Sequence, residues 1–205
     1  MAAMNKLLLA SSSPRRRELL ESAGFECVIR PPEVDESRRP DEGPREYAQR
    51  MAVAKARAVA GAVDPARDGA DVIVAADTIV VQDDAIFGKP ADEAEARQVL
   101  ARLSGGWHQV LTGYAVVRVG SGAEEAPRAG LAETDVRFKE LTEHELDWYV
   151  SSGDWRGKAG GYAIQLRAGF MVTDLVGSYS NVVGLPLSQV VDELAALGVV
   201  PGGGS

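Results

Sequence analysis

The chain has 205 residues, of which 45% are hydrophobic and 25% are charged, so its composition is that of a globular protein with one domain or two small ones. Its formal net charge of −8 disfavours general binding to nucleic acid or to anionic membranes, because an acidic chain repels polyphosphate at long range. The single cysteine, Cys27, excludes an internal disulfide framework and a cysteine-based zinc site.

The apolar run near the N-terminus is too short for a targeting segment. It spans only residues 7–10, whereas a secretory signal needs about 7–15 apolar residues. No stretch of the sequence approaches the roughly 18 apolar residues of a membrane span. We therefore expect a cytoplasmic protein that binds neither a membrane nor nucleic acid.

Predicted strands (β) and helices (α) mingle along the whole chain. In chain order they lie at residues 6–10 (β), 14–22 (α), 26–30 (β), 45–63 (α), 72–82 (β), 92–103 (α), 109–119 (β), 131–139 (β), 142–150 (α), 162–165 (β), 170–176 (β) and 187–197 (α). Residues 120–130 read as a Gly-rich loop, residues 177–186 as a polar turn, and residues 199–205 as a tail with nothing to pack. This mixture predicts an α/β fold with a mixed, twisted sheet.

A basic segment, residues 9–17, follows the first predicted strand. Ser13 is expected to cap the next helix, where backbone N–H groups and the helix dipole attract anions. Arg15, Arg16 and Arg17 add forked donors that suit phosphate oxygens. Because three cations at a helix N-terminus oppose the dipole, we interpret the segment as a phosphate site. A capped helix with a solvated basic first turn is the alternative.

The apolar strand at residues 72–76 leads into an acidic residue, Asp77. Open α/β sheets place their chemistry beyond the carboxyl ends of the strands, so Asp77 is a candidate catalytic carboxylate. A carboxylate that merely caps a turn is an equally good interpretation of this feature alone.

Lysine is rare in this chain, with five residues against 17 arginines, so each lysine suggests a need for a compact point charge. Lys55 lies on the helix predicted for residues 45–63. Lys89 lies in a Gly-Lys-Pro turn that resembles the end of a P-loop, but Asp83 and Pro90 stand where a P-loop needs Gly and Ser or Thr. A P-loop nucleotidase is therefore excluded, although a lysine on this rigid turn can still contact a phosphate.

The segment Lys158–Gln165 combines glycines, which allow close backbone approach, with a glutamine whose amide can read a base edge. A flexible loop before a strand is the alternative interpretation. The two histidines, His108 and His144, share no spacing typical of a metal pair or a catalytic triad. We interpret them as isolated surface or strand-end residues.

Taken together, these segments resemble the Maf family of nucleoside triphosphate pyrophosphatases. Matching motifs follow one another in order at Leu9–Arg16, Ala76–Thr78, Gly88–Pro90, Leu103–His108, Thr112–Gly113, Lys158–Gln165 and Gly177–Leu187. The resemblance covers residues 6–198, which is nearly the whole chain.

The resemblance implies an elongated α/β fold similar to that of the inosine-triphosphate pyrophosphatases. Residues 6–198 are expected to form one domain of two lobes around a central cleft, and residues 199–205 a flexible tail. It also implies a homodimer that uses a divalent cation, Mg²⁺ or Mn²⁺, to hydrolyse a nucleoside triphosphate to the monophosphate and pyrophosphate. The family has in addition been linked to septum formation.

Residue roles are carried over at the matched positions. By this resemblance Asp77 is the proton acceptor, while Arg15, Thr78 and Gln165 govern substrate choice. Thr78 and Gln165 resemble the branch that acts on dTTP and UTP rather than the branch tied to 7-methyl-GTP, which typically has Ser-Asp-Gln. The chain departs from the family pattern at residues 153–155 and at Leu166, which flank the base-reading segment.

The residues around these motifs supply the charge that such a reaction needs. A triphosphate carries about four negative charges at neutral pH, which must be screened before a nucleophile reaches the α-phosphorus. We expect this screening from Ser11, Ser13, Arg15, Arg16, Lys55 and Lys89, with Glu36 and Asp77 as metal ligands. Two alternatives stay open: a pyrophosphatase for modified purine nucleotides such as 7-methyl-GTP, and a non-catalytic nucleotide-binding regulator of septum formation.

Overall fold

A computed structural model describes residues 6–63, 69–70, 72–119 and 126–202. Its elements, in chain order, are β1 (Lys6–Ala10), α1 (Pro14–Ser22), β2 (Glu26–Ile29), α2 (Pro44–Ala60), β3 (Val72–Gln82), β4 (Ala85–Phe87), α3 (Glu93–Leu103), β5 (Trp107–Arg118), β6 (Arg128–Phe138), α4 (Glu143–Ser151), β7 (Val172–Val176), α5 (Tyr179–Val183) and α6 (Leu187–Ala196). Short 3₁₀-helices lie at Ala159–Gly161 and Arg167–Met171. None of the helices among the described residues is long and apolar enough to cross a bilayer.

The strands form one seven-stranded sheet with the order β2-β1-β3-β5-β6-β7, and β4 pairs with β3 outside this path. β1 runs parallel to both of its neighbours, with Leu7 opposite Cys27 of β2 and Val72 of β3. β4 and β7 are antiparallel to β3 and β6. The predicted α/β fold with a mixed sheet is therefore confirmed.

The chain divides into two compact units. Unit 1 comprises Met1–Asp77, Thr112–Leu131 and Gly184–Ser205. Within it, Leu7 and Leu9 of β1 pack with side chains of α1 and α6, whereas Leu8 packs with α2. Burial on both faces explains why β1 has a continuous apolar run instead of an alternating pattern.

Unit 2 comprises Thr78–Leu111 and Ala132–Val183. Its core gathers apolar side chains of α3 and α4 around Phe138 of β6, which is fully buried. His108 and Tyr162 each meet Phe138 edge-on, at ring-centroid distances of 4.8 and 4.9 Å. His108 is 2% exposed near the start of β5, so the predicted strand-end position is confirmed, and His144 is exposed, as predicted.

The second half of the chain differs locally from the predicted elements. Residues 162–165 are not a strand, because Gly160 and Gly161 adopt φ values of +64° and +71° and a turn follows at residues 164–166. β7 begins only at Val172, after a 3₁₀-helix. The polar segment 177–186 contains the short helix α5. Each miss lies where local backbone geometry overrides a short apolar pattern.

The C-terminal segment packs further than its sequence predicts. Val199 is 1% exposed and belongs to the core of unit 1, and the N–H of Gly202 donates to the carbonyl of Gly24 at 3.2 Å. The expectation that nothing packs from residue 199 onward is therefore wrong for Val199. Residues 203–205, and residues 120–125 of the predicted loop, lie outside the described residues.

Candidate active site

A lysine joins two carboxylates in unit 1. One of them, Asp77, lies in the middle of β3, because the strand continues to Gln82, so its predicted position beyond a strand end is wrong. The ammonium Nζ of Lys55 donates to Oδ1 of Asp77 at 2.5 Å and contacts Oε1 of Glu36 at 2.7 Å. The side chains of Lys55 and Asp77 are only 10% and 14% exposed, whereas that of Glu36 is 54% exposed. One cation thus faces two anions, so the cluster carries a surplus negative charge that a further cation would balance.

Small side chains bring α2 close to the sheet and so place Lys55 beside Asp77 of β3. Ala52 and Ala56 of α2 pack with Ile73 of β3 in one buried cluster. Gly113 of β5 lies directly under the helix, since a Cβ added there would come within 2.2 Å of the carbonyl oxygen of Ala48. The Thr-Gly motif predicted from sequence therefore has a structural role, which is to admit the helix backbone.

Arg16 is fixed at the start of α1 by two acceptors. Its Nε donates to the carbonyl of Gly184 at 2.7 Å, and its Nη1 donates to Oγ of Ser11 at 3.1 Å. Burial lowers the pKa of Arg16 below its ordinary value, an effect that the carboxylates of Asp77 and Glu36 oppose. Arg16 therefore lies within the electrostatic reach of the Lys55 cluster.

The serines of the basic segment have roles that differ from the predicted ones. Ser13 is the N-cap residue of α1, but its side chain makes no capping hydrogen bond. Instead its backbone N–H donates to Oγ of Ser11 at 3.1 Å, and Ser11 is buried. Arg15 is half-buried in the first turn, where burial lowers its pKa. The structure thus brings Ser11, Arg15 and Arg16 together at one helix end.

Three predicted site residues, Thr78, Lys89 and Gln165, belong to unit 2. Thr78 follows Asp77 on β3 and is half-buried, whereas Lys89 and Gln165 are exposed on turns. Those turns are linked through their flanking residues, because the N–H of Gly160 donates to the carbonyl of Gly88 at 2.9 Å. The Gly-Lys-Pro and Lys-Ala-Gly motifs therefore form one connected loop region.

The departures from the family pattern are accommodated within unit 2. Trp155 is 3% exposed, and its indole N–H donates to the carbonyl of Val150 at 3.0 Å. Asp154 accepts a hydrogen bond from Arg167 at 3.1 Å. Leu166, by contrast, is 49% exposed. The first two residues hold their loop in place, while Leu166 changes the surface beside it.

Two residues near the cluster are absent from the sequence-based prediction. Tyr47 and Arg50 of α2 donate to the backbone carbonyls of Glu36 and Ser37, at 2.8 and 3.0 Å. The apolar periodicity of the helix predicts only an apolar position for Tyr47. Tyr47 and Arg50 are three residues apart on the helix that also carries Lys55, and this spacing could have indicated that they lie on the same side of the helix.

An α/β sheet with a lysine that bridges a carboxylate of a strand and a second carboxylate, beside an arginine held by a buried serine, has the groups of an enzyme for phosphorylated substrates. The comparison with known sequences gives the family. The chain belongs to the Maf family, because the family model for a Maf-like protein matches residues 6–197. The predicted family is therefore confirmed.

Relatives of similar length are named dTTP/UTP pyrophosphatase. The chain is 47% identical to the dTTP/UTP pyrophosphatase of Symbiobacterium thermophilum over 195 residues, which is 95% of each chain. It is 46% identical to the dTTP/UTP pyrophosphatases of Rhizobium meliloti and Caulobacter vibrioides, over 97% and 98% of this chain and 95% and 100% of theirs. Among solved structures, a HAM1 protein from Coxiella burnetii has a TM-score of 0.49 and 18% identity, over 94% of this chain and 100% of that one.

Proposed function

We propose that this protein hydrolyses dTTP and UTP to the nucleoside monophosphate and pyrophosphate. The observation that carries the proposal is the ammonium of Lys55, which holds Asp77 of β3 and Glu36 together, with Arg16 within electrostatic reach. The names of the relatives, which match over nearly their whole length, support the same substrates.

The arginines of unit 1 provide fixed positive charge that can bind a triphosphate. Arg16 is already oriented by Gly184 and Ser11, so it needs no rearrangement when negative charge develops at the phosphorus. Arg15 adds a second guanidinium at the same helix end, and the N–H groups there favour anions. We assign phosphate binding in this unit to these groups together with Ser13 and Lys55.

Asp77 is the proposed proton acceptor. Lys55 bonds one of its carboxylate oxygens, which fixes the orientation of the group and presents the other oxygen to a water molecule. The water oxygen forms a bond to the α-phosphorus and gives its proton to Asp77. The bond from the α-phosphorus to the bridging oxygen breaks, and pyrophosphate leaves with that electron pair.

The donor set fits a divalent cation that shares its ligands with substrate. Among the described residues no group of three or more His, Cys, Asp or Glu side chains could hold a metal ion. Two carboxylates, those of Glu36 and Asp77, meet at Lys55, and Mg²⁺ commonly takes one or two carboxylates plus substrate phosphates. We propose that these two residues hold Mg²⁺ or Mn²⁺, which would neutralise phosphate charge.

Residues of unit 2 complete the proposal. Lys89, on its exposed turn, is assigned to the phosphates as a point charge. Thr78 and Gln165 are assigned to base choice, because a hydroxyl or amide left unpaired by the wrong base weakens binding. A homodimer and a cytoplasmic location belong to the same proposal, and light scattering of the purified chain tests the first.

Isotope labelling tests which bond breaks. The wild-type protein is incubated in ¹⁸O-water with a panel of dTTP, UTP, ATP, GTP and 7-methyl-GTP, and the products are analysed by mass spectrometry. We expect the label in the monophosphate and faster turnover of dTTP and UTP. Label in pyrophosphate contradicts attack at the α-phosphorus, a preference for 7-methyl-GTP indicates the purine alternative, and binding without turnover indicates a regulator.

A further inference from the structure

The segment that carries Glu36 is anchored to α2 through its backbone. The hydroxyl of Tyr47 donates to the carbonyl of Glu36 at 2.8 Å, and Nη2 of Arg50 donates to the carbonyl of the next residue, Ser37, at 3.0 Å. The segment has neither helix nor strand of its own between β2 and α2. Two consecutive peptide units are therefore fixed by side chains of a packed helix.

Arg50 is itself held by a buried carboxylate. Its Nε and Nη2 donate to the two carboxylate oxygens of Glu42, at 2.5 and 2.7 Å, in the forked geometry that fixes both groups. Glu42 is 7% exposed, and it also accepts the backbone N–H of Arg39 at 3.2 Å. Nε of Arg38 donates to its carbonyl at 2.7 Å. Glu42 thus ties Arg50 to Arg38 and Arg39 of the same segment.

The charge states of these groups keep the anchor intact at neutral pH. The hydrogen bond from Arg50 lowers the pKa of Glu42 to about 2, so this carboxylate stays ionised. The forked contact of Glu42 with Arg50 therefore persists over the pH range in which the proposed reaction would run.

We propose that Tyr47, Arg50 and Glu42 are positioning residues that hold Glu36 against Lys55 for the reaction. The inference rests on the proposed function. The side chain of Glu36 is 54% exposed, so its own packing fixes it weakly, and the backbone contacts on either side of residue 36 fix it instead. A carboxylate held in place before substrate binds loses less conformational entropy when a cation arrives.

Limited proteolysis tests the anchor independently of turnover. Arg38 is a trypsin site within the segment, whereas the bond after Arg39 is not cut because Pro40 follows it, and Arg128→Gln serves as the control because Arg128 pairs with Glu193 of α6 in the same unit. We expect Arg50→Gln to speed cleavage after Arg38 by about tenfold, since local opening becomes easier. Cleavage at the wild-type rate overturns the anchor, even if the protein turns over no nucleotide.

A double-mutant cycle tests whether the anchor acts through Glu36. Tyr47→Phe removes one hydroxyl, and we expect it to lower kcat/KM for dTTP by about 3- to 10-fold, the effect of one hydrogen bond. In a Glu36→Gln background the same change should have an effect below about twofold, because the carboxylate that it positions is gone. Equal losses in both backgrounds, with trypsin cleavage accelerated in Arg50→Gln, show a merely structural role and overturn the inference.

A conservative variant separates charge from geometry. Arg50→Lys keeps the positive charge but loses the forked contact with Glu42, so we expect kcat/KM to stay nearer to that of Arg50→Gln than to wild type. Full activity in Arg50→Lys contradicts the positioning role. Product analysis of the wild-type protein in the same assay shows separately whether the proposed reaction takes place.

Discussion

Lys55 and Asp77 lie on different elements, yet the ammonium of the first donates to a carboxylate oxygen of the second at 2.5 Å with both side chains largely buried. Taking two charges out of water is costly, so a buried pair of this kind is weak evidence for a stabilising role. Because Glu36 adds a second carboxylate to the same nitrogen, the arrangement is better explained by the binding of a ligand with both anionic and cationic parts.

Asp77→Asn should abolish turnover without unfolding the protein. The amide oxygen can still accept from Lys55, so the contact between α2 and β3 is kept, but the group no longer takes a proton. Removing a general base typically lowers the rate by about 10²- to 10⁴-fold. Steady-state kinetics, thermal unfolding and calorimetric titration with dTTP measure the three properties. A variant with near-normal kcat would refute the assignment.

Lys55→Arg should not restore the activity that Lys55→Ala loses. The ammonium is 10% exposed beside small side chains of α2, so the wider guanidinium must displace either the helix or the carboxylates. We expect kcat/KM of both variants to fall strongly, with the arginine variant also less stable than wild type. Wild-type kinetics in Lys55→Arg would show that charge alone is required.

Gln165→Ala should narrow the preference for pyrimidine nucleotides. The residue lies on an exposed turn, so truncation leaves the core of unit 2 unchanged. An unpaired polar group on the base costs about 1–3 kcal/mol, which corresponds to roughly 5- to 150-fold in kcat/KM for dTTP and UTP. Competition between dTTP and ATP in one reaction measures the ratio, and an unchanged ratio contradicts the role in base choice.

The sequence predicts those features of the site that are formed by one chain segment better than the contacts between segments that are distant in sequence. The strand predicted for residues 72–82 agrees with β3, which runs through Asp77 to Gln82, and Asp83 and Asp84, both of which adopt positive φ, form the turn before β4. Nothing local predicts that Lys55 of α2 reaches Asp77, since that contact depends on how helix and sheet pack. The scarcity of lysine indicated Lys55, and the need for a metal ligand indicated Glu36, but neither argument predicts their shared contact.

The contacts that anchor the segment around Glu36 could not be predicted from the sequence either. Tyr47 fits an apolar helical pattern, so its hydroxyl contact is not visible in periodicity. Glu42 lies in a polar connection whose acids read as solvated, yet it is buried by Arg50. Which acidic residue of this connection is buried and has a structural role therefore depends on contacts with residues that are distant in sequence.

Gly113→Ala should destabilise the protein and impair the site together. A methyl group there would lie 2.2 Å from the carbonyl of Ala48, so α2 must move away from β5 and carry Lys55 with it. We expect a loss of about 1–3 kcal/mol or more in the free energy of unfolding. Gly61→Ala, at the end of the same helix, is the control because its methyl group makes only ordinary contacts. Equal stability of the two variants would show that α2 does not lie against Gly113.

His108 should make the stability of the folded state fall as the pH is lowered below about 6.5. Burial lowers the pKa of His108 in the folded protein to about 4, and its Nε2 shares a hydrogen bond with the hydroxyl of Tyr162 at 2.8 Å. Between these two pKa values the unfolded chain binds a proton that the folded chain does not. The free energy of unfolding therefore decreases by up to about 1.4 kcal/mol for each pH unit as the pH falls between these values, and the stabilising contribution is fully present above the unfolded pKa.

Denaturant titrations at pH 7, 6 and 5 measure this dependence of the free energy of unfolding on pH. His108→Gln keeps a group that can bond Tyr162 but does not titrate, so its slope should be smaller than that of the wild type. Equal slopes would mean that His108 protonates in the folded state as readily as in the unfolded chain.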